Sequence, residues 1–343
     1  MKSPAKNKIR RLGRDLALVL FLLLLIAFDA RLQLHAPLNV DKPVTVELEP
    51  GQRLSSLFAQ MSERGLFADM RQRLYLLAYV RLHGGGSLKA GEYAVEPGLT
   101  AVELLGLLAS GKVVQHELRL VEGWRFAQAW RAIQSDPNLT HTLNDADGAA
   151  ALRVLGLNGE STEGILFPDT YRFPKHTTDV VILKNAHAEM ARVLNEEWTN
   201  RAPDLPYSGP EQALIMASLV EKETGLASER PQIAGVFVRR LEQGMKLQTD
   251  PAVIYGMGDA YTGNIRTADL RTDTPYNTYT RVGLPPTPIC LPGRESIHAA
   301  LHPDGGKALY FVSKGNGSHQ FSDSLDEHNA AVMQYQIKPH LHP

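Results

Sequence analysis

An uninterrupted run of apolar residues near the N-terminus is the strongest feature of the hydrophobic pattern. It covers residues 16–28 and follows a basic segment, residues 1–15, that holds six lysines and arginines and one aspartate. A basic segment ahead of an apolar run is typical of a signal peptide or a signal anchor. Because thirteen helical residues rise only about 20 Å against a hydrocarbon core of about 30 Å, a cleaved signal peptide competes with an anchor.

The residues after the run favour an anchor that is not cleaved. The best cleavage position follows Ala30 and places Phe28 at the −3 position, where a small residue is preferred. We therefore predict a cytoplasmic basic stub at 1–15 and a transmembrane signal anchor at 16–36. A buried core helix is the remaining alternative, but such a helix would not need the basic flank.

Beyond a proline-containing linker at 37–43, the pattern predicts a small α+β module over residues 44–121. Residues 44–48 alternate as in a strand, and apolar residues from Leu54 to Met61 recur at helical spacing. A second strand is expected at 91–95. Thr100 and Glu103 then form a capping box for a helix that ends before Gly111.

Residues 122–335 are long enough for one larger domain of mixed α+β structure. Helical periodicity recurs at 127–133, 180–194, 211–224 and 230–243. Residues 245–295 instead hold many Thr, Pro, Asn and Gly residues, as in loops that carry binding surfaces. The chain as a whole is thus predicted to be α+β, with a frayed tail at 336–343.

Composition and charge narrow the classes of function. Lysine and arginine number 36 and aspartate and glutamate 37, so the chain without its basic stub is mildly acidic. Nucleic-acid-binding proteins usually present a basic surface, and we therefore predict no nucleic-acid partner. Cys290 is the only cysteine, which excludes an intramolecular disulfide and a zinc ribbon.

The helix that begins near Pro210 carries the most informative pair of acids. Ser208 and Glu211 predict a capping box at its start, and Glu221 and Glu223 lie at its end. Residues two apart lie about 200° apart around a helix, so these two carboxylates cannot act as a pair.

Glu223 has the bulkier apolar neighbours, with Met216, Leu219 and Val220 one or two turns earlier. Apolar surroundings raise the pKa of a carboxyl, as a general acid requires. Alternatively, both glutamates are solvated charges at the end of a helix.

The segment around these glutamates resembles the signature of the endolytic murein transglycosylase (YceG-like) family. The signature is Ala-Ser-Leu-Val-Glu-Lys-Glu-Thr at 217–224, followed by Ala-Ser-Glu-Arg at 227–230. Further blocks that resemble the family, in the family's order, lie at 163–171, 247–251, 276–279, 283–286, 302–303 and 310–312. Together they span about 43–335, which makes chance similarity a poor explanation.

The resemblance implies a fold, an activity and a location. It implies a LysM-like module at 44–121 and a catalytic domain at 122–335, on a single-pass inner-membrane protein whose catalytic domain is periplasmic. The implied activity is cleavage of the MurNAc–GlcNAc β-1,4 bond within nascent peptidoglycan strands, which leaves 1,6-anhydromuramyl ends and limits strand elongation. The implied partners are glycan strands, the inner membrane and peptidoglycan synthases, and no cofactor is implied.

The resemblance also assigns site residues. The family's catalytic glutamate corresponds to Glu223, with Glu221 as the fallback. Candidate substrate contacts are Gln248, Thr249, Tyr276, Asn277, Thr278, Tyr279 and Glu163. Each of the polar ones could equally hold a loop together, because Asn and Thr side chains satisfy nearby backbone groups.

Two alternative functions stay open. A hydrolytic muramidase would need a second carboxylate, for which Glu163 is the candidate. A non-catalytic scaffold would bind peptidoglycan through the small module alone. We predict no metal site, because His298 and His302 lack the glutamate of a zinc-protease motif and have no evident third ligand.

Overall fold

The computed structural model describes residues 4–84, 88–143, 148–157 and 161–337. The chain divides into two compact units. The first contains residues 1–116 with 173–175, and the second contains 117–172 with 176–343. The α+β character is as predicted, whereas the limits 44–121 and 122–335 stay predictions. Apart from Gln336 and Ile337, the predicted frayed tail lies outside the described residues.

The first unit is built around a two-stranded sheet and its helices. Its elements are α1 (Pro4–His35), β1 (Val44–Leu48), α2 (Leu54–Glu63), α3 (Met70–His83), β2 (Gly91–Val95) and α4 (Ala101–Ser110). β1 pairs with β2 in antiparallel fashion, with Val46 opposite Tyr93. The capping box between Thr100 and Glu103 is confirmed at the start of α4.

The predicted transmembrane anchor over 16–36 is wrong. Within the described part of the chain, no helix has both the length and the apolar character that crossing a membrane requires. In α1 the apolar run ends at Asp29, whose carboxylate pairs with Arg71 at 3.1 Å and accepts a hydrogen bond from the Tyr75 hydroxyl at 2.8 Å. Leu34 is buried in the core of the first unit, so the last turns of α1 pack against protein.

The predicted location, single-pass in the inner membrane, is wrong as well, because it depended on this anchor. A single-pass inner-membrane protein with a periplasmic catalytic domain requires a spanning helix, and none is found among the described residues. The error has a simple source: an apolar run of thirteen residues is about 20 Å long, and the turns that would have to extend it carry charged residues.

The remaining elements follow along the chain. They are β3 (Gln115–Arg119), α5 (Phe126–Ser135), β4 (Leu139–Thr140), α6 (Ala149–Leu155), β5 (Thr170–Pro174), β6 (Thr177–Thr178), α7 (Asp179–Thr199), α8 (Pro210–Glu223), α9 (Arg230–Glu242), α10 (Asp250–Met257), α11 (Thr267–Arg271), α12 (Arg294–Leu301), β7 (Tyr310–Ser313), β8 (His319–Ser322) and α13 (Leu325–Val332). β3 pairs with β5, β4 runs parallel to β6, and β7 is antiparallel to β8.

α8 is the central helix of the second unit. Met216, Leu219 and Val220 are fully buried in a core to which α7, α9 and α12 also contribute. Burial of this apolar surface is the main driving force that holds the helices together. Ala217 and Ser218, on the side of Glu221, are fully buried as well, so both sides of α8 pack against protein.

The start of α8 differs from the prediction. Its N-cap is Gly209, Pro210 occupies the first turn, and no side chain caps the helix. The backbone N–H of Ser208 donates to the Gln212 side chain at 2.8 Å, so Gln212 takes the part that the capping box assigned to Glu211. The helix ends as expected, which makes Glu223 its last residue.

Candidate active site

Glu223 lies at the wall of a cavity of about 540 Å³ in the second unit. The cavity wall also includes Arg240, Gln248, Asp250, Tyr279, Tyr310 and His319. These residues supply hydroxyl, amide and aromatic groups. A polar cavity with ring faces is suited to a polar ligand such as a sugar chain.

The carboxyl of Glu223 is held close to its protonation midpoint at neutral pH. Burial removes water that would stabilise the carboxylate, and this raises the pKa of Glu223 to about 7. The Thr249 hydroxyl donates a hydrogen bond to the carboxyl, which lowers the pKa, and the negative charge of Asp250 raises it. A carboxyl with such a pKa can both donate and accept a proton near neutral pH.

Thr249 is fixed in place by a second threonine, Thr278. Thr278 Oγ1 accepts a hydrogen bond from the Thr249 N–H at 3.0 Å and donates one to the Thr249 carbonyl at 3.2 Å. The Gln248 N–H donates to the Thr278 carbonyl at 3.1 Å. Both threonines are buried, so their hydroxyl positions are tightly constrained.

The turn before Thr249 has an unusual backbone conformation. Gln248 has φ of +54°, a left-handed conformation that disfavours residues with a side chain. The buried Arg240 guanidinium compensates by donating to Gln248 Oε1 at 3.2 Å and to the Leu247 carbonyl at 2.9 Å. This strained turn directs Thr249 towards Glu223, an arrangement found frequently at functional sites.

Asp250 and Tyr279 form the neighbouring part of the cavity wall. The Tyr279 hydroxyl donates to Asp250 Oδ1 at 2.6 Å. Asp250 is the first residue of α10, where the helix dipole favours a negative charge. Four predicted substrate contacts thus lie near Glu223: Gln248 and Tyr279 in the same cavity wall, Thr249 hydrogen-bonded to the Glu223 carboxyl, and Thr278 hydrogen-bonded to Thr249. Their role in substrate binding stays a prediction.

The hydrogen bonds of the Asn277 and Tyr276 side chains go to residues other than those around Glu223. The Asn277 amide donates to the carbonyls of Asp269, Leu270 and Thr272, at 3.2, 3.2 and 2.7 Å. The Tyr276 hydroxyl bonds to Thr287 at 2.8 Å, and its ring contacts Tyr255. The structure thus places Asn277 as a brace for its loop, and its role in sugar binding stays an untested prediction, as does that of Tyr276.

Glu221 faces α12 instead of the cavity. Its carboxylate accepts hydrogen bonds from the Gly293 N–H at 3.0 Å and the Ser296 hydroxyl at 2.7 Å, and Arg230 lies 3.9 Å away. Gly293 is the N-cap residue of α12 and Ser296 lies in the first turn of that helix. Glu221 therefore joins α12 to the end of α8.

Glu163 is buried in different surroundings. It accepts a hydrogen bond from the Phe126 N–H at 2.9 Å, at the start of α5. Burial raises the pKa of Glu163, while this bond, the charge of Arg125 and a bond with Tyr255 lower it. The structure places Glu163 at a helix start, apart from the contacts that surround Glu223.

The structure brings a third candidate ligand to His298 and His302. Glu197, His298 and His302 have ligand atoms within 4.8 Å of one another. Glu197 contacts His298 Nδ1 at 2.9 Å and also accepts from Arg294 at 2.8 Å. The argument that no third ligand is present is thus wrong, while the absence of a metal stays a prediction.

Sequence reasoning missed several residues of the cavity wall. They are Arg240, Asp250, Tyr310, His319 and His328. Asp250 could have been found, since it follows Thr249 inside a block already recognised. Tyr310 likewise begins the recognised block at 310–312. Arg240, His319 and His328 come from α9, β8 and α13, and only the fold places them beside Glu223.

The cavity defines a class of protein: an enzyme with carboxyl groups placed for general acid–base chemistry on a polar substrate. The chain belongs to the YceG-like family, whose model matches residues 46–334. The predicted family is thereby confirmed.

Similar proteins and a solved structure agree with this assignment. The endolytic murein transglycosylase of Bacillus subtilis is 30% identical over 318 residues, which cover 87% of each chain. That of Streptococcus pneumoniae is 27% identical, over 87% of this chain and 59% of its own length. A crystal structure of a YceG-like protein from Listeria monocytogenes has a TM-score of 0.53 and 28% identity, and it covers 85% of this chain and 100% of that one.

The contacts of Glu221 predict that its loss destabilises the fold. Glu221→Ala leaves the Gly293 N–H and the Ser296 hydroxyl without their acceptor, and we expect the free energy of unfolding to fall by about 1–3 kcal/mol. Urea denaturation measures it. The control Glu242→Ala, at an exposed position, should change it by less than about 0.5 kcal/mol. Equal stability of the two variants would contradict the structural role.

Proposed function

We propose that this chain is an endolytic murein transglycosylase that cleaves the MurNAc–GlcNAc β-1,4 bond within peptidoglycan strands. The observation that carries the proposal is the Glu223 carboxyl, with its pKa raised to about 7 at the wall of a polar cavity. Membership of the YceG-like family and the names of its relatives support it.

In the proposed reaction, Glu223 acts twice. The protonated carboxyl first donates its proton to the glycosidic oxygen while the bond from that oxygen to C1 of the muramyl sugar breaks. The resulting carboxylate then accepts the proton of the C6 hydroxyl, whose oxygen bonds to C1 and closes a 1,6-anhydro ring. No water is consumed, and Glu223 ends the cycle protonated as it began.

The surroundings of Glu223 suit both steps. Burial favours the protonated form that the first step needs. The hydrogen bond from Thr249 stabilises the carboxylate that exists between the steps. A pKa near 7 keeps either proton transfer from being strongly uphill at neutral pH.

A hydrolytic muramidase is the second candidate, and Asp250 is the observation that favours it. Asp250 shares the cavity wall with Glu223 and would serve as the second carboxylate that activates water. Glu163 is less suited to this role, because it lies at the start of α5 and does not line the cavity that contains Glu223.

We further propose that cleavage inside strands limits their elongation, and that the first unit acts as a LysM-like module that holds the glycan. Its order of strand, two helices and strand supports this role. In a non-catalytic scaffold, this binding would be the only function.

To test the activity, the full chain is incubated with purified peptidoglycan and the glycan products are identified by mass spectrometry. We expect anhydromuramyl ends, which are lighter than reducing ends by one water. Glu223→Gln keeps the size of the side chain but cannot supply the proton, so turnover should fall by about 10²-fold or more. Glu221→Gln is the matched control and should keep most activity, since Glu221 faces α12.

Reducing ends would instead identify a muramidase, and an absence of cleavage would favour the scaffold. Loss of activity in Glu221→Gln with retention in Glu223→Gln would show that the wrong glutamate was chosen.

The pH dependence of kcat/KM should shift in opposite directions in two variants. Activity needs protonated Glu223 and therefore falls as pH rises through about 7. Asp250→Asn removes a charge that raises this pKa, so the fall moves to lower pH. Thr249→Val removes the hydrogen bond that lowers the pKa of Glu223, so kcat/KM should fall at a higher pH than in the parent.

Thr249→Ser is the control, because it keeps the hydroxyl and should behave as the parent. Shifts of the same sign in Asp250→Asn and Thr249→Val would contradict this account.

A further inference from the structure

A buried histidine–glutamate pair at the cavity has no role in the proposed reaction. His319 Nδ1 lies 2.7 Å from Glu229 Oε2, and both side chains are about nine-tenths buried, with 12% and 11% of their surfaces exposed. Glu229 directly precedes α9, and His319 is the first residue of β8. The two are 90 positions apart in the chain, so the fold alone joins them.

The contacts of Glu229 determine which ring nitrogen of His319 carries a hydrogen. Glu229 Oε1 accepts a hydrogen bond from the His319 backbone N–H at 3.0 Å, and Oε2 faces Nδ1. A carboxylate oxygen accepts hydrogen bonds, so Nδ1 must carry the hydrogen. The other nitrogen, Nε2, is then an acceptor in the neutral ring and a donor in the charged ring.

The ring is also held by aromatic neighbours. Phe311 lies edge-on to it at 5.5 Å between ring centres, and Phe321 lies at 6.5 Å. Together with the two bonds to Glu229, these contacts define the orientation of the imidazole before any ligand binds. Such preorganisation lowers the entropic cost of binding.

Nε2 is the one polar atom of this ring that remains available. His319 lines the same cavity as Glu223. Among the described residues, no group forms a hydrogen bond with Nε2. Nε2 also does not belong to the fully buried polar atoms without a partner, so it is not fully buried. Nε2 is therefore accessible to a ligand in the cavity, and the fixed ring already orients it.

We infer that His319 is a substrate-binding residue whose Nε2 hydrogen bonds to a hydroxyl or N-acetyl group of the glycan, and that Glu229 positions it. The inference rests on the proposed function. Sugar hydroxyls and acetamido groups both donate and accept hydrogen bonds, so either charge state of the ring can bind them. The Tyr310 ring, also in the cavity wall, offers a face for the same sugar.

Binding to an inactive full-length chain tests the inference without cleavage of the ligand. In a Glu223→Gln background, isothermal titration calorimetry measures Kd for soluble glycan strands freed of peptides. His319→Asn keeps an amide near the Nδ1 position, to bond Glu229, but deletes the group at Nε2. We expect Kd to rise by about 5–30-fold, as for the loss of one well-formed hydrogen bond. His302→Asn, whose ring bonds to the Asn200 carbonyl, is the matched control and should leave Kd unchanged.

The role of Glu229 is tested by a double-mutant cycle. Glu229→Gln should raise Kd in the Glu223→Gln background but change it little when His319→Asn is also present. The reason is that Glu229 affects glycan binding only by orienting the His319 imidazole. A merely structural role for Glu229 would give independent, additive effects. Melting temperatures check that each variant is folded; if His319→Asn is unstable, His319→Gln, which places an amide near Nε2, should bind more tightly than His319→Ala.

The outcomes separate this inference from the proposed function. Equal Kd for Glu223→Gln with and without His319→Asn would overturn the role of His319 and leave the proposed function intact. An absence of glycan binding by Glu223→Gln, together with an absence of cleavage by the parent chain, would overturn both.

Discussion

The site depends on a balance between desolvation and one hydrogen bond at the end of α8. Burial of Glu223 disfavours its charged form, while the Thr249 hydroxyl stabilises that form. Burial thus favours the protonated form, which can act as an acid, and the hydrogen bond favours the ionised form, which can act as a base. The contacts that fix α8 and the turn that carries Thr249 keep these two side chains together.

Two separate sets of interactions maintain the contact between Glu223 and Thr249. On one side, the core around Met216 and Leu219 fixes α8, and Glu221 ties its last turn to α12. On the other side, Thr278 and Arg240 hold the turn that carries Thr249. The last turn of α8 thus carries one glutamate that secures the helix and a second that faces the cavity, two positions further on.

The choice of Glu223 over Glu221 as the catalytic residue also used the family resemblance, and it stays a prediction. Local pattern was sufficient to predict that α8 exists and where it ends. It was insufficient wherever partners are distant in the chain. Glu221 meets residues more than 70 positions away, and Asn277 braces a loop that has no periodicity. The anchor was mispredicted from a short apolar run, and the turns of α1 that follow this run pack in the core of the first unit.

The most direct test is the pKa of Glu223 itself, measured by ¹³C NMR of side-chain carboxyls in the full chain. The signal is assigned as the one that disappears in Glu223→Gln. We predict a titration midpoint of about 7, far above that of a hydrated glutamate. A midpoint of about 4.3, the ordinary value for glutamate, would show that the cavity does not desolvate this carboxyl and would contradict the account.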